Sequence, residues 1–99
     1  MTKSVFTTEY RIFLKLLIEE RKRAGLTQTL LAQKLEQSQP YVAKYEKGVR
    51  RLDLIEFLEI ADAIGFNPFD FLSKLFKRFQ KSKPSSAYQI FIYFAIYAK

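Results

Sequence analysis

The sequence contains no cysteine, no histidine and no tryptophan among its 99 residues. Without cysteine and histidine the chain lacks a disulfide framework, the usual zinc ligands and the Cys–His or Ser–His pairs of nucleophilic catalysis. Only carboxylates remain for acid–base chemistry, so we expect neither an enzyme nor a metal or other cofactor. The lack of cysteine also fits a reducing compartment, and we expect a cytoplasmic protein.

Long hydrophobic runs are also missing. The longest, from Ala87 to Ala98, has twelve residues and is interrupted by Gln89, whereas a membrane-spanning helix needs about 20. The first residues lead into an amphipathic stretch and not into a secretory signal. With 48% hydrophobic and 27% charged residues, the composition is that of one globular domain with no membrane partner.

Positive charge is unevenly distributed. The net charge is +7, which suggests a polyanionic partner such as nucleic acid or an anionic membrane surface. Residues 73–99 carry six bases and no acid, whereas residues 1–72 carry 11 bases and 10 acids. Net charge therefore says little about the first two thirds of the chain, where local clusters must be considered.

Apolar residues recur at helical spacing in five stretches. The predicted helices cover residues 9–23, 28–35, 39–47, 53–64 and 68–80. Thr7 or Thr8 can cap the first helix and Thr27 the second, and Asp53 and Glu56 have the spacing of a capping box. Pro40 restrains the residue before it, so we expect Gln39 and not Ser38 to cap the third helix.

The same spacing predicts which side chains face the core. In the second helix these are Leu31, Ala32 and Leu35, and in the third they are Val42 and Tyr45. In the fourth helix we expect the following side chains to point inward: Leu54, Ile55, Leu58, Ala61 and Ile64.

Residues 28–47 have the form of a helix-turn-helix, two short helices separated by about three residues. Ala32 permits a close helix crossing, while Val42 and Tyr45 anchor the second of the two helices. Its opposite face then carries Gln39, Pro40, Tyr41, Ala43, Lys44 and Lys47. Glutamine and lysine are residue types that reach base edges in a major groove.

Several segments together resemble the Cro/repressor-type (lambda-repressor-like) helix-turn-helix family of bacterial and phage regulators. The matching residues are Leu26-Thr27-Gln28, Leu31-Ala32, Leu35, Val42, residues 44–48, residues 50–53, Leu58, residues 60–61 and residues 63–65. The resemblance covers roughly residues 8–80 and implies an all-α, five-helix DNA-binding domain. Glu36 departs from the pattern, because many relatives have glycine in that turn.

The resemblance also implies roles for individual residues. The helix at 39–47 corresponds to the recognition helix, and Gln39, Tyr41 and Lys44 stand where relatives contact base edges. Residues that correspond to phosphate contacts are Gln28, Lys47, Arg50 and Arg51. Lys44, Lys47, Arg50 and Arg51 also place four bases within eight residues, against the single acid Glu46, which suits a phosphate backbone.

Local alternatives stand beside these roles. The Tyr41 ring can pack on Tyr45, one helical turn away, instead of touching a base. Glu46 is expected to pair with Arg50 or Arg51 and so orient them. Residues 21–23 are expected to form a solvated, basic helix end.

The C-terminal segment is the least constrained by these patterns. Residues 81–86 read as a linker, and residues 87–98 are rich in β-branched and aromatic residues, which favours a strand. A lone strand leaves its backbone groups unpaired, so we expect pairing with a second copy in a homodimer. A sixth helix at a dimer seam or a segment foreign to the natural gene are the alternatives.

The sequence thus predicts a helix-turn-helix domain over residues 1–81 and a linker with a hydrophobic tail over residues 82–99. The expected function is a sequence-specific transcriptional regulator, a repressor that binds double-stranded DNA as a dimer. One alternative is an antitoxin whose tail binds a partner protein. Another is a protein- or membrane-surface interaction module that does not bind DNA.

Overall fold

Five helices make up the part of the chain that the structure, a computed structural model, describes, residues 7–82. They are α1 (Thr8–Arg23), α2 (Gln28–Leu35), α3 (Gln39–Lys47), α4 (Leu54–Ile64) and α5 (Pro68–Ser82). No strand occurs within residues 7–82, and the predicted all-α, five-helix architecture is confirmed. The predicted strand at 87–98 lies outside the described residues.

Capping side chains fix where most of these helices begin. The Thr7 hydroxyl accepts a hydrogen bond from the Tyr10 amide at 3.3 Å, and the Thr27 hydroxyl accepts one from the Leu30 amide at 3.0 Å. At α4 the capping box forms in both directions, since the Asp53 carboxylate accepts from the Glu56 amide at 2.8 Å and the Glu56 carboxylate from the Asp53 amide at 3.0 Å. Each bond satisfies a backbone donor that the helix leaves unpaired.

The start of α3 differs from the prediction. Ser38 is the cap residue, although its side chain makes no capping hydrogen bond. Ser38 has extended backbone angles. Gln39 is already the first helical residue, and Pro40 follows it in the first turn. The prediction of Gln39 as the cap was wrong because the extended conformation that precedes a helix falls one residue earlier.

The core draws on all five helices, with Phe57 and Ile60 from α4 and Phe71 from α5 among its residues. Leu17, Leu31, Val42, Tyr45 and Ile60 are fully buried, and Ala32 is buried as well. The inward faces of α2 and α3 were thus correctly predicted. Their buried side chains pack α3 against the rest of the domain.

The inward face of α4 differs in part from the prediction, since Ala61 is buried and Ile64 packs against the core as expected. Leu54, Ile55 and Leu58 are exposed, at 66%, 63% and 42% of their surface, whereas Phe57 and Ile60 are buried. Apolar residues surround most of this helix, so spacing alone allows more than one inward face. The contacts of Phe57 decide the rotation, because its ring lies 5.2 Å from that of Phe71 in α5.

Helix α5 is held against α1 by aromatic and ionic contacts. The Phe13 ring of α1 meets Phe71 edge-on at 5.9 Å. The Lys74 ammonium lies 3.3 Å from the Glu20 carboxylate and the Arg78 guanidinium 3.6 Å from that of Glu19. Glu19 and Glu20 therefore face α5, which leaves a different side of α1 beside α3.

Candidate nucleic-acid interface

The turn between α2 and α3 depends on a left-handed residue. Glu36 ends α2 with φ 56° and ψ 41°, and it is the only residue other than glycine with positive φ in the described range 7–82. Its amide donates back to the Gln33 carbonyl at 3.1 Å, and the Gln37 amide to that of Ala32 at 2.9 Å. Glutamate thus adopts the conformation that glycine provides without steric cost.

Helix α3 has one buried side and one open side. Val42 and Tyr45 are fully buried, whereas Gln39, Pro40, Lys44 and Lys47 are exposed and Tyr41 and Ala43 are intermediate. An α-helix with an exposed polar side and a firmly anchored apolar side has the shape and chemistry that a major groove accepts.

The position of α3 relative to α1 is fixed by a buried ion pair. The Arg21 guanidinium binds both oxygens of the Glu46 carboxylate, with Nε to Oε2 at 2.7 Å and Nη2 to Oε1 at 3.1 Å. Its remaining terminal nitrogen donates to the Leu26 carbonyl at 2.9 Å. The two side chains are only 10% and 5% exposed, so the charges are removed from water together and satisfy each other.

Two glutamines extend this ion pair to the start of α3. Gln28 donates through Nε2 to Glu46 Oε1 at 2.8 Å, and Gln39 donates through Nε2 to Gln28 Oε1 at 2.8 Å. The hydrogen-bonded series Arg21–Glu46–Gln28–Gln39, called here the polar chain, links α1, α2 and α3. It restrains the exposed amide of Gln39 relative to the core.

The partner of Glu46 corrects two expectations. Glu46 pairs with Arg21, and not with Arg50 or Arg51, because its side chain turns toward α1. Arg21 is correspondingly buried and does not belong to a solvated helix end, which describes Lys22 and Arg23 instead. The partners are 25 positions apart, so they leave no local spacing signal, and only a charged residue on the buried side of α1 could have indicated the pair.

Tyr41 and Arg50 form a second cluster, which joins α3 to the loop that follows it and to the first turn of α4. The Tyr41 ring meets the Tyr45 ring at 5.8 Å, which is the packing expected in the alternative interpretation of this residue. The Arg50 guanidinium lies 4.8 Å from the Tyr41 ring centre and 2.6 Å from the Glu56 carboxylate. This hydrogen bond, together with that from the Asp53 amide, lowers the pKa of the Glu56 carboxyl, while partial burial raises the pKa of Tyr41.

Arg51 is held differently from its neighbour. Its guanidinium lies 4.3 Å above the Tyr10 ring centre, a cation–π contact that leaves the charge exposed. The Tyr10 hydroxyl in turn accepts a hydrogen bond from the Leu52 amide at 3.0 Å. Helix α1 thereby supports the loop that carries both arginines.

The sequence-predicted residues are therefore grouped around α3. Gln28 and Gln39 are directly bonded, Lys44 and Lys47 are exposed along the helix, and Arg50 and Arg51 follow it. Among the residues that the structure describes, no group of histidine, cysteine or acidic side chains could hold a metal ion. No helix of residues 7–82 has the length and hydropathy needed to cross a bilayer.

Comparison with known proteins places this arrangement in a family. A helix-turn-helix family model matches residues 17–82. A solved structure described as an XRE-family like protein from Pseudomonas syringae pv. tomato str. DC3000 is 42% identical, with a TM-score of 0.67, and the match covers 77% of this chain and 88% of that one. The chain belongs to the XRE-type helix-turn-helix family. Among curated proteins, no sequence matches it significantly.

Membership of the XRE-type family confirms the predicted resemblance and the general function. Proteins of this family are DNA-binding regulators, and this chain is a DNA-binding helix-turn-helix regulator. The family match spans the whole of α2 and α3, so the polar chain and the open side of α3 both belong to the matched region.

Proposed function

We propose that the protein is a transcriptional repressor that reads operator DNA with α3 placed in the major groove. The observation that carries the proposal is the polar chain, which restrains Gln39 on the exposed side of a helix whose opposite side is fully buried. Such restraint lowers the conformational entropy lost when a side chain binds a base.

Gln39 and Lys44 are the proposed base-reading residues. Gln39 uses one of its N–H donors on Gln28, so its second donor and its amide oxygen match the N7 acceptor and N6 donor of adenine. Lys44 is exposed, and its ammonium suits the O6 and N7 acceptors of guanine. Tyr41, packed on Tyr45, presents only part of its ring and we assign it a supporting apolar contact at the groove edge.

Phosphate contacts are proposed for Gln28, Lys47, Arg50 and Arg51. Lys47 and Arg51 are exposed and carry their charge beside α3. Arg50 is bound to Glu56 at 2.6 Å, so any phosphate it contacts adds to an existing ion pair. These contacts give affinity and register, whereas the base edges give sequence preference.

The regulatory consequence follows from occupancy of the DNA. A dimer that binds two half-sites about 34–36 Å apart blocks that stretch of duplex for other proteins, and for this reason we propose repression and a homodimer. Residues 87–98 are the proposed dimerisation segment. If a second small protein co-purifies with the full chain and binds this segment, the antitoxin alternative is favoured instead.

The test begins with selection of preferred duplexes from a random pool by the full chain. Titration of the selected duplex and of an unrelated one then compares Lys44→Ala, Arg51→Ala and, as a control on α5, Lys77→Ala. We expect Lys44→Ala to lose about 1–3 kcal/mol of binding free energy on the selected duplex and to discriminate less between the selected and the unrelated duplex. Arg51→Ala is expected to weaken both duplexes alike, and Lys77→Ala to change neither.

A different result identifies which part of the proposal fails. Absence of any preferred duplex refutes sequence-specific binding. Unchanged affinity and preference in Lys44→Ala refutes the assignment of the reading face.

A further inference from the structure

A shallow cleft between α1 and α3 carries positive charge that the proposed reading face does not use. It has a volume of about 270 Å³ and is lined by Arg11, Leu14, Lys15, Ile18, Glu46 and Lys47. Three of these six side chains are basic. The one acid, Glu46, is already bound by both of its oxygens to Arg21, so it is not the ion-pair partner of Lys15 or Lys47.

The two bases of α1 that line the cleft project from the same side of their helix. Arg11 and Lys15 are four residues apart, which places them one above the other, and both are exposed. Leu14 is buried and Ile18 is intermediate, so an apolar floor supports the aliphatic stems while the charged ends reach water.

Two of the three acids of α1 are bound away from the cleft. Glu20 binds Lys74 and Arg23, and Glu19 binds Arg78. These contacts place both carboxylates toward α5 or the end of α1. The α1 residues that line the cleft are accordingly two bases and two apolar residues, with no acid among them.

The cleft is continuous with the proposed reading face. Glu46 lines the cleft and also accepts the hydrogen bond from Gln28, which in turn binds Gln39. Lys47 lines the cleft and is itself a proposed phosphate contact. A duplex that meets Gln39 and Lys47 thus runs past the edge of this cleft.

We propose that Arg11 and Lys15 form a second phosphate-binding surface, which extends the DNA contact from α3 onto α1. Its ligand is the sugar–phosphate backbone of duplex DNA next to the bases read by α3. The contact is independent of sequence and adds affinity and register. The proposal rests on the proposed DNA-reading function of α3.

The experiment measures how the affinity of the full chain depends on salt. The double variant R11Q/K15Q is compared with K34Q/K77Q, which removes the same charge from exposed positions outside the cleft. The probe is the selected duplex with several flanking base pairs on each side, together with an unrelated duplex of equal length. Each lost phosphate contact lowers the slope of log affinity against log salt by about 0.9, so we expect a reduction of about 1.8 per bound protomer for R11Q/K15Q.

Four further readouts complete the test. R11Q/K15Q is expected to weaken selected and unrelated duplexes by the same factor, and the charge-preserving variant R11K/K15R to retain the parent slope. Lys15→Gln alone, at an exposed position, is expected to give half of the reduction in the salt slope. It replaces R11Q/K15Q in the test if the double variant folds poorly. On duplexes trimmed of their flanking base pairs, the parent and R11Q/K15Q are expected to converge.

The outcomes separate this inference from the proposed function. If the parent binds a preferred duplex but R11Q/K15Q and K34Q/K77Q change the slope equally, the cleft makes no phosphate contact and only net charge matters. If the parent binds no preferred duplex, the proposed function itself fails.

Discussion

Arg21 and Glu46 form a two-point ion pair that joins the last turn of α1 to α3 across 25 residues of sequence. Both side chains are at least nine-tenths buried. A buried pair of this kind is a weak source of net stability, because desolvation offsets the attraction, but removal of one partner leaves the other charge buried alone. The pair therefore acts mainly to specify where α3 lies.

Glu46→Gln is expected to destabilise the fold by about 3 kcal/mol, since Arg21 remains buried without a counter-charge. The midpoint of urea unfolding measures this, provided that its denaturant slope is unchanged. Glu19→Gln is the matched control, because the Glu19–Arg78 pair is 37% and 43% exposed and contributes at most about 1 kcal/mol. Equal losses in the two variants would contradict the role assigned to the buried pair.

Two isoleucines of α4 test the corrected orientation of that helix. Ile60 is fully buried and Ile55 is 63% exposed. We expect Ile60→Ala to cost about 3 kcal/mol, from lost burial and the cavity left behind, and Ile55→Ala to stay within about 0.5 kcal/mol. Thermal or denaturant unfolding of both variants measures the difference, and a larger loss for Ile55→Ala would mean that α4 is rotated differently.

Glu36→Gly is expected to stabilise the protein by about 0.5–1 kcal/mol. Glycine removes the steric cost of the left-handed conformation, and its greater freedom in the unfolded chain cancels part of the gain. Gln33→Gly, inside α2, is the control and should lose about 1 kcal/mol. If both glycines destabilise equally in urea titrations, the conformation of Glu36 carries no strain.

Tyr45 gives the unfolding equilibrium a defined response to alkali. Its hydroxyl is buried without a hydrogen-bond partner among the described residues, and burial raises the pKa of this phenol well above its usual value of 10.0. The folded state therefore keeps a proton that the unfolded state releases from about pH 10 upward. Stability falls as the pH rises through that range, because the native state then binds more protons than the unfolded state.

Tyr45→Phe is expected to weaken this alkaline decline and to leave stability at pH 7 equal or higher by about 1 kcal/mol, because an unsatisfied buried hydroxyl is removed. Part of the decline should remain, since burial also raises the pKa of Tyr41. Urea midpoints at pH 8 and at pH values above 10 measure the change. A clear loss of stability at pH 7 would show that the hydroxyl has a partner.

The sequence was sufficient for the helices and for the inward face of α3, because capping residues and helical spacing are local signals. Thr27 and Asp53 cap the starts of α2 and α4, and Gly48 caps the end of α3, as expected. Val42 and Tyr45 are three positions apart in a helix whose other residues are mostly polar, so only one rotation of α3 about its axis buries both.

The same reasoning failed where tertiary contacts decide. In α4, apolar residues surround most of the helix, and packing of Phe57 against Phe66 and Phe71 selects the buried side. The polar chain likewise depends on contacts between residues 11 to 25 positions apart, for which spacing in the sequence gives no signal.

The exposed Lys44 side chain makes no hydrogen bond or ion pair to the residues that the structure describes, whereas Val42 and Tyr45 anchor the same helix in the core. If Lys44 reads a base as proposed, substitutions at this position change target choice while folding is preserved. Under that proposal, duplicated copies of the gene diverge toward separate operators one base pair at a time, with no compensating change elsewhere in the domain.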